Sequence, residues 1–209
     1  MKYKHIIFDV DGTLLDTFAT GVGSLQLTLR EELGIERSLD SLKHYFGIPS
    51  FMTVKEFPFD DEVKGLEKWE KNYNKMAHLI TPFEGVVDML ARLHNEGYKL
   101  GVLTSRSLYE FEKDPRMAAW LPIFSCVITS ADSEKHKPDP APMEAYMRKS
   151  GALPSECLYI GDGIVDSQCA ERAGVDFVLA DWKGFGNDIP ALAVMRSAED
   201  LFAFLESAS

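Results

Sequence analysis

The sequence predicts an α/β fold with a parallel sheet and one inserted helical segment, and three observations carry that expectation. Short apolar runs at Tyr3 to Val10, Lys99 to Thr104, Cys126 to Thr129, Cys157 to Ile160 and Phe177 to Ala180 alternate with amphipathic helical stretches, the pattern of βαβ units. Glycines close those helices just before the next run, as in Leu93-His94-Asn95-Glu96-Gly97, Arg148-Lys149-Ser150-Gly151 and Glu171-Arg172-Ala173-Gly174. Between the first run and the second, Thr17 to Thr81 shows no strand-like pattern and reads as helical almost throughout.

The first run ends in Phe8-Asp9-Val10-Asp11-Gly12-Thr13-Leu14-Leu15-Asp16, where Gly12 and Thr13 predict the tight turn that closes a buried strand. An Asp-Gly turn is common by itself. Asp9, however, stands inside the apolar run, where a charge is costly without a partner. In open α/β sheets ligands sit beyond the carboxyl ends of the strands, so Asp9 and Asp11 fall where a site would lie.

In the helical segment that follows, Leu25, Leu29 and Leu33 share one face of a helix that Gly34 ends. Asp60/Lys64 and Glu67/Lys71 are expected as i,i+4 pairs on the solvated face of a later helix. Crossovers are normally much shorter, so about 65 residues here imply an inserted subdomain, emerging beside Asp9 and placed to act as a lid. The expected division is residues 1–16 and 82–209 for the α/β core and 17–81 for a helical cap. A sixth, weaker strand is expected at Ala193 to Arg196, and a closing helix over Glu199 to Leu205.

Composition bounds the partners. The 209 residues suffice for one domain with an insertion, and 45% hydrophobic with 26% charged residues is ordinary for a soluble globular protein. Lys+Arg of 22 against Asp+Glu of 33 gives a formal net charge of −11, which argues against nucleic acid and anionic membrane while leaving small anionic substrates open. Cys126, Cys157 and Cys169 lack zinc or C-x-x-C spacing and read as buried thiols in a reducing compartment. Asp9 and Asp11 interrupt the first apolar run too early for a signal peptide, and the expected location is cytoplasmic.

The remaining chemistry-bearing residues also fall at strand ends. Thr104-Ser105-Arg106 offers hydroxyls and backbone N–H groups suited to an anion, or alternatively a helix N-cap. Lys137 sits between Lys135-His136 and Pro138-Asp139-Pro140, whose prolines fix the local backbone. Gly161-Asp162-Gly163-Ile164-Val165-Asp166 follows the fourth run, and Asp166 in the first turn of a helix would face back toward Asp162, although it could equally complement the helix dipole. Two like charges about 4 Å apart repel by roughly 4 kcal/mol at an effective dielectric near 20, so gathering Asp9, Asp11, Asp162 and Asp166 calls for a cation. All-oxygen ligation without His or Cys points to Mg²⁺, and a dication beside Lys137 and Thr104 makes a site for a phosphoryl dianion.

With these motifs in order, the chain resembles the haloacid dehalogenase superfamily, and most closely its phosphoglycolate phosphatase-like branch. Asp9-Val10-Asp11-Gly12-Thr13 matches the first motif, Thr104 the second, Lys137-Pro138 the third and Gly161-Asp162 with Asp166 the fourth. The resemblance implies a Rossmann-like three-layer core and a Mg²⁺-dependent phosphomonoesterase acting through an aspartyl-phosphate. It implies Asp9 as nucleophile, Asp11 as acid and base, Thr104 and Lys137 as phosphoryl-stabilising residues, and Gly12, Thr13 and Ser105 as substrate contacts. The metal would be held by Asp9, Asp11 through its carbonyl, and Asp162, with Asp166 in support. Asp11 argues against the dehalogenases, which lack an acid there, and the transport ATPases carry Thr at that position. The loop Gly47-Ile48-Pro49-Ser50 lacks the arginine with which the sugar-phosphate mutases grip a second phosphate, so mutase chemistry is the alternative, with a catalytically silent binding protein the other. The expected partner is a small phosphorylated metabolite, and the expected assembly a monomer or homodimer.

Overall fold

The computed structural model describes residues 2–48, 50–185 and 188–208. Pro49, in the loop noted above, lies outside them. The strands are β1 (His5–Phe8), β2 (Leu15–Asp16), β3 (Thr81–Pro82), β4 (Lys99–Leu103), β5 (Phe124–Ile128), β6 (Cys157–Gly161), β7 (Asp176–Ala180) and β8 (Ala193–Met195). Six of them form one sheet in the order β5-β4-β1-β6-β7-β8, and every neighbouring pair is parallel. Helices cross between the successive strands of this sheet as far as β7, which makes this an α/β, Rossmann-like arrangement.

The chain divides into two compact units, Met1–Leu14 with Pro82–Ser209, and Leu15–Thr81. In the first, Ile7, Leu103, Ile128, Met143, Tyr146, Tyr159 and Leu179 belong to one buried cluster under the sheet. The three cysteines are free and buried; desolvation pushes the Cys157 thiol up to about 11 and Cys169 up to about 12, so neither ionises readily. β1 runs through the middle because all four of its side chains are buried, as a central parallel strand requires. Its register sets Phe8 level with Val102 of β4 and Ile160 of β6, so the residues that follow emerge side by side. Gly97, Gly151 and Gly174 adopt positive φ where helices end, as their spacing predicted.

In the second unit, helix Phe18–Leu33 packs against helix Glu62–Met76 around Val22, Leu25, Leu29 and Leu42, with Leu33, Phe57 and Trp69 against that cluster. Gly34 closes the first helix at φ 65°. The expected Asp60/Lys64 pair shifts by one position: Asp61 is the N-cap of the second helix, so Asp60 stands outside it, and Lys64 instead faces Asp61 at 3.7 Å. Lys68 reaches Glu31 and Glu32 on the other helix. Among the described residues, no helix is long and apolar enough to cross a membrane.

Candidate active site

Three strand ends build the site, all within the first unit. Asp9 directly follows β1, and its N–H donates to the Ile160 carbonyl at 2.9 Å, which extends the ladder past the strand and fixes the backbone there. Thr104 follows β4, with its N–H on the Ile128 carbonyl at 3.0 Å. Asp162 follows β6, and Asp166 lies in the first turn of helix Ile164–Ala173, where its Oδ2 accepts from the Gly163 N–H at 3.0 Å. The chain brings these groups together because the β1, β4 and β6 termini are neighbours in the sheet.

Lys137 arrives from the loop after β5 and occupies the centre. Its Nζ donates to Asp9 Oδ1 at 2.9 Å, to Asp166 Oδ1 at 2.6 Å and to the Tyr159 hydroxyl at 3.2 Å, and the lysine is only 8% exposed. The Tyr159 hydroxyl in turn donates to Asp166 Oδ1 at 2.8 Å. One ammonium therefore faces two buried carboxylates. The Asp9 carboxyl is raised to about 7, chiefly by burial, with Lys137 opposing and Asp166 and Asp11 adding to the rise. Asp162 is raised well above the ordinary carboxylate range by burial and by Asp166 and Asp9, with Lys137 opposing. For Lys137, burial alone would lower the pKa, but Asp166 and Asp9 outweigh it and raise it, so the ammonium keeps its proton.

That imbalance fits a cation. Asp9, Asp162 and Asp166 each offer a carboxylate oxygen within 4.8 Å of the others, a donor set of hard oxygens suited to Mg²⁺. Asp166 already accepts three hydrogen bonds, from Lys137, Tyr159 and Gly163, which leaves Asp9 and Asp162 with the freer oxygens. Gly12 adopts φ 84°, and a Cβ there would collide with the Asp162 carboxylate, so only glycine lets the turn pass this close.

The other sequence-predicted residues fall as follows. The Asp11 carboxylate is separate from the three-acid cluster and is held by Arg106, with Nε to Oδ2 at 2.7 Å and Nη2 to Oδ1 at 2.6 Å. Thr104 is buried and its Oγ1 accepts from the Arg106 N–H at 3.2 Å, whereas Ser105 is exposed. The N-cap of the following helix is Ser107, whose capping box with Glu110 removes that alternative for Thr104 and Ser105. Thr13 is 1% exposed, with no hydrogen-bond partner for its Oγ1 among the described residues; its carbonyl accepts from the Trp182 indole N–H at 3.0 Å. Asp16 Oδ1 accepts from the Phe18 N–H at the start of the first helix of the second unit. Sequence reading missed Tyr159 and the roles of Arg106 and Asp114. Of these, only Asp114 had a local signal, an Asp-Pro pair that predicts an N-cap followed by Pro at the first helical position.

The fold and the lysine–carboxylate cluster fit a hydrolase, and comparison with known proteins gives the family. The chain belongs to the haloacid dehalogenase-like hydrolase family, whose profile matches residues 6–180 and so spans every residue of the site. A relative from Caldanaerobacter subterraneus subsp. tengcongensis is 30% identical over 190 residues, covering 87% of this chain and 83% of its own. Pyrophosphatase PpaX of Bacillus pumilus is 27% identical over 185 residues, with 88% and 85% covered. A crystal structure from Lactobacillus plantarum shares the fold with a TM-score of 0.86 at 24% identity, over 97% of this chain and 99% of the other.

Proposed function

We propose that this hydrolase is a Mg²⁺-dependent phosphatase that removes a phosphoryl group from a small phosphorylated metabolite. The observation that carries the reading is Lys137, buried and bonded to both Asp9 and Asp166 with Asp162 alongside. A surplus of buried carboxylate calls for a cation, and a cation beside the Lys137 ammonium suits a phosphoryl dianion.

Asp9 is the nucleophile: its carboxylate oxygen attacks phosphorus while the bond from phosphorus to the leaving oxygen breaks. Asp11 gives its proton to that leaving oxygen and then takes one from the water that attacks the aspartyl-phosphate, which frees Asp9 and inorganic phosphate. Lys137 holds Asp9 in line and neutralises phosphoryl charge, and Thr104 bounds the phosphoryl pocket with its hydroxyl and the loop N–H groups after it. Asp9, Asp162 and the Asp11 carbonyl would hold Mg²⁺, with Asp166 anchoring Lys137 beside them. The ion supplies charge neutralisation for the phosphoryl oxygens.

Phosphate monoesters hydrolyse so slowly uncatalysed that enzymes accelerate the reaction by up to about 10²¹, and the two-step route with positioned charges meets that demand. The relative named pyrophosphatase PpaX adds pyrophosphate to phosphoglycolate and small sugar or nucleotide monophosphates as substrates to try. The deciding experiment incubates purified protein with p-nitrophenyl phosphate, with Mg²⁺ and with EDTA, followed by a phosphorylated-metabolite panel ranked by kcat/KM. Metal-dependent turnover is expected; none on any substrate would sink the reading.

A further inference from the structure

The carboxylate of Asp11 does not stand alone at the site. Arg106 grips it with two N–H groups, and the third face of the same guanidinium donates through Nη1 to Asp114 Oδ2 at 2.9 Å. Asp114 is held from its other side by Arg116, with Nε to Oδ1 at 2.6 Å and Nη2 to Oδ2 at 2.7 Å, while its Oδ1 also accepts from the Arg116 N–H at 3.0 Å. The result is an alternating row, Asp11, Arg106, Asp114, Arg116, with no net charge.

Exposure decreases from Asp11 to Asp114, with side chains 35% exposed at Asp11, 11% at Arg106 and 6% at Asp114, and rises again to 22% at Arg116. The most buried member is the anchored one: Asp114 is the N-cap of helix Pro115–Trp120, and hydrogen bonds from Arg116 and Arg106 outweigh its burial and bring its carboxyl down to about 2. The backbone of Arg106 is fixed too, with its N–H on Thr104 Oγ1 and its carbonyl accepting from the Ser130 N–H at 2.9 Å. A planar guanidinium whose backbone and far edge are both tied has one way to present its remaining fork.

From this we infer that Arg106 is a positioning residue for Asp11, setting the carboxylate that serves the leaving group through a two-pronged pair anchored on Asp114. The assignment rests on the phosphatase reading above. A partly exposed aspartate on a turn would otherwise sample several rotamers, and a displacement of about 1 Å in a reacting group can cost on the order of 10²-fold in rate. The pair uses one acceptor direction on each Asp11 oxygen, so the other direction on one of them can carry the O–H whose proton passes to the leaving oxygen while the fork holds. Recognition of a second anionic group on the substrate is the less favoured role, because two carboxylates already neutralise the guanidinium.

The test exploits the leaving group. p-Nitrophenolate departs with little need of a proton, whereas phenolate needs one, and the two esters have nearly the same size. Single-turnover release of the phenol should be compared for both substrates in the unsubstituted enzyme, Arg106→Met, Arg106→Lys, Asp11→Asn and the double variant Asp11→Asn/Arg106→Met. Arg106→Met is expected to lose at least about tenfold more rate on phenyl phosphate than on p-nitrophenyl phosphate, with KM little changed. Arg106→Lys keeps the charge but lacks the fork, and recovers only part of that loss. In the Asp11→Asn background, Arg106→Met adds no further leaving-group-dependent loss. Equal losses on both esters in both Arg106 variants, or full additivity with Asp11→Asn, would overturn the assignment while leaving the phosphatase reading intact. Absence of turnover by the unsubstituted enzyme on these esters and on the whole metabolite panel would overturn both.

Discussion

Lys137 and Asp9, 128 positions apart in the chain, meet through a 2.9 Å contact between Nζ and Oδ1 in which both side chains are more than nine-tenths buried. The contact joins the first strand end to the loop beyond β5, and its removal is the most direct test of how the site is held. Lys137→Met leaves Asp9 and Asp166 as buried carboxylates without their counter-charge. Breaking a buried pair from one side costs about 3–5 kcal/mol, so a fall of that size in unfolding free energy is expected from urea titration. Turnover of p-nitrophenyl phosphate should fall by at least about 100-fold, as when an electrostatic stabiliser is lost. A variant as stable and as active as the unsubstituted protein would remove Lys137 from the mechanism.

The position of that lysine could be read only in part from sequence. Asp9 was legible because a charge inside an apolar run needs a partner, and Asp162 and Asp166 because they follow the run that becomes β6. Lys137 was legible as a motif residue, but an isolated lysine in a loop carries no sign that its ammonium will be buried. Tyr159 was not legible at all. In the run Cys157-Leu158-Tyr159-Ile160 it reads as strand filler, and its hydroxyl acquires meaning only when the loop carrying Lys137, 22 residues earlier, folds against it. The shift from Asp60 to Asp61 is of the same kind: helical spacing gives the face, while the residue that caps the helix decides where the face begins. Arg106 and Asp114 lie eight positions apart across a turn and the intervening helix, beyond the reach of either periodic pattern.

Tyr159→Phe keeps the ring and its packing while deleting the hydroxyl that donates to Asp166 and accepts from Lys137. The loss of hydrogen bonds to charged groups in a buried site is expected to lower stability by about 1.5–3 kcal/mol. Because the hydroxyl orients two residues and is not itself placed on the reacting atoms, kcat should fall while KM for p-nitrophenyl phosphate changes little. Thermal unfolding and steady-state kinetics check the two halves separately. A change in KM alone would show that Tyr159 meets the substrate.

The surplus of negative charge around Asp162 makes a prediction with an unusual sign. Asp162→Asn removes a carboxylate that burial, Asp166 and Asp9 all disfavour in its ionised form. With EDTA present, the variant is expected to unfold at a higher temperature than the unsubstituted protein. With MgCl₂ the order should reverse, because the unsubstituted protein gains binding free energy according to RT ln(1 + [L]/Kd) and the variant gains little. Scanning fluorimetry under the two conditions gives all four midpoints. An equal Mg²⁺ response in both proteins would exclude Asp162 as a metal ligand.

Away from the site, His5 supplies a pH dependence whose sign follows from its surroundings. The ring lies in β1, is 3% exposed and sets Nδ1 3.1 Å from the Tyr146 hydroxyl. Burial lowers its pKa below the ordinary 6.5, the nearby Lys99 charge lowers it further, and Glu156 opposes them. The unfolded chain then takes up a proton below pH about 6.5 that the folded protein refuses, so the contribution of His5 to stability is complete above that pH and is lost as the pH falls toward the depressed folded value. The limiting slope is about 1.4 kcal/mol per pH unit. His5→Gln retains a polar group for Tyr146 and cannot titrate. Urea midpoints for the two proteins at pH 7.5 and 5.5 isolate the effect, since Asp9 and Asp162 titrate in both and cancel in the difference. The unsubstituted protein should lose more stability between those pH values than His5→Gln, and parallel curves would show that His5 carries the same proton affinity folded and unfolded.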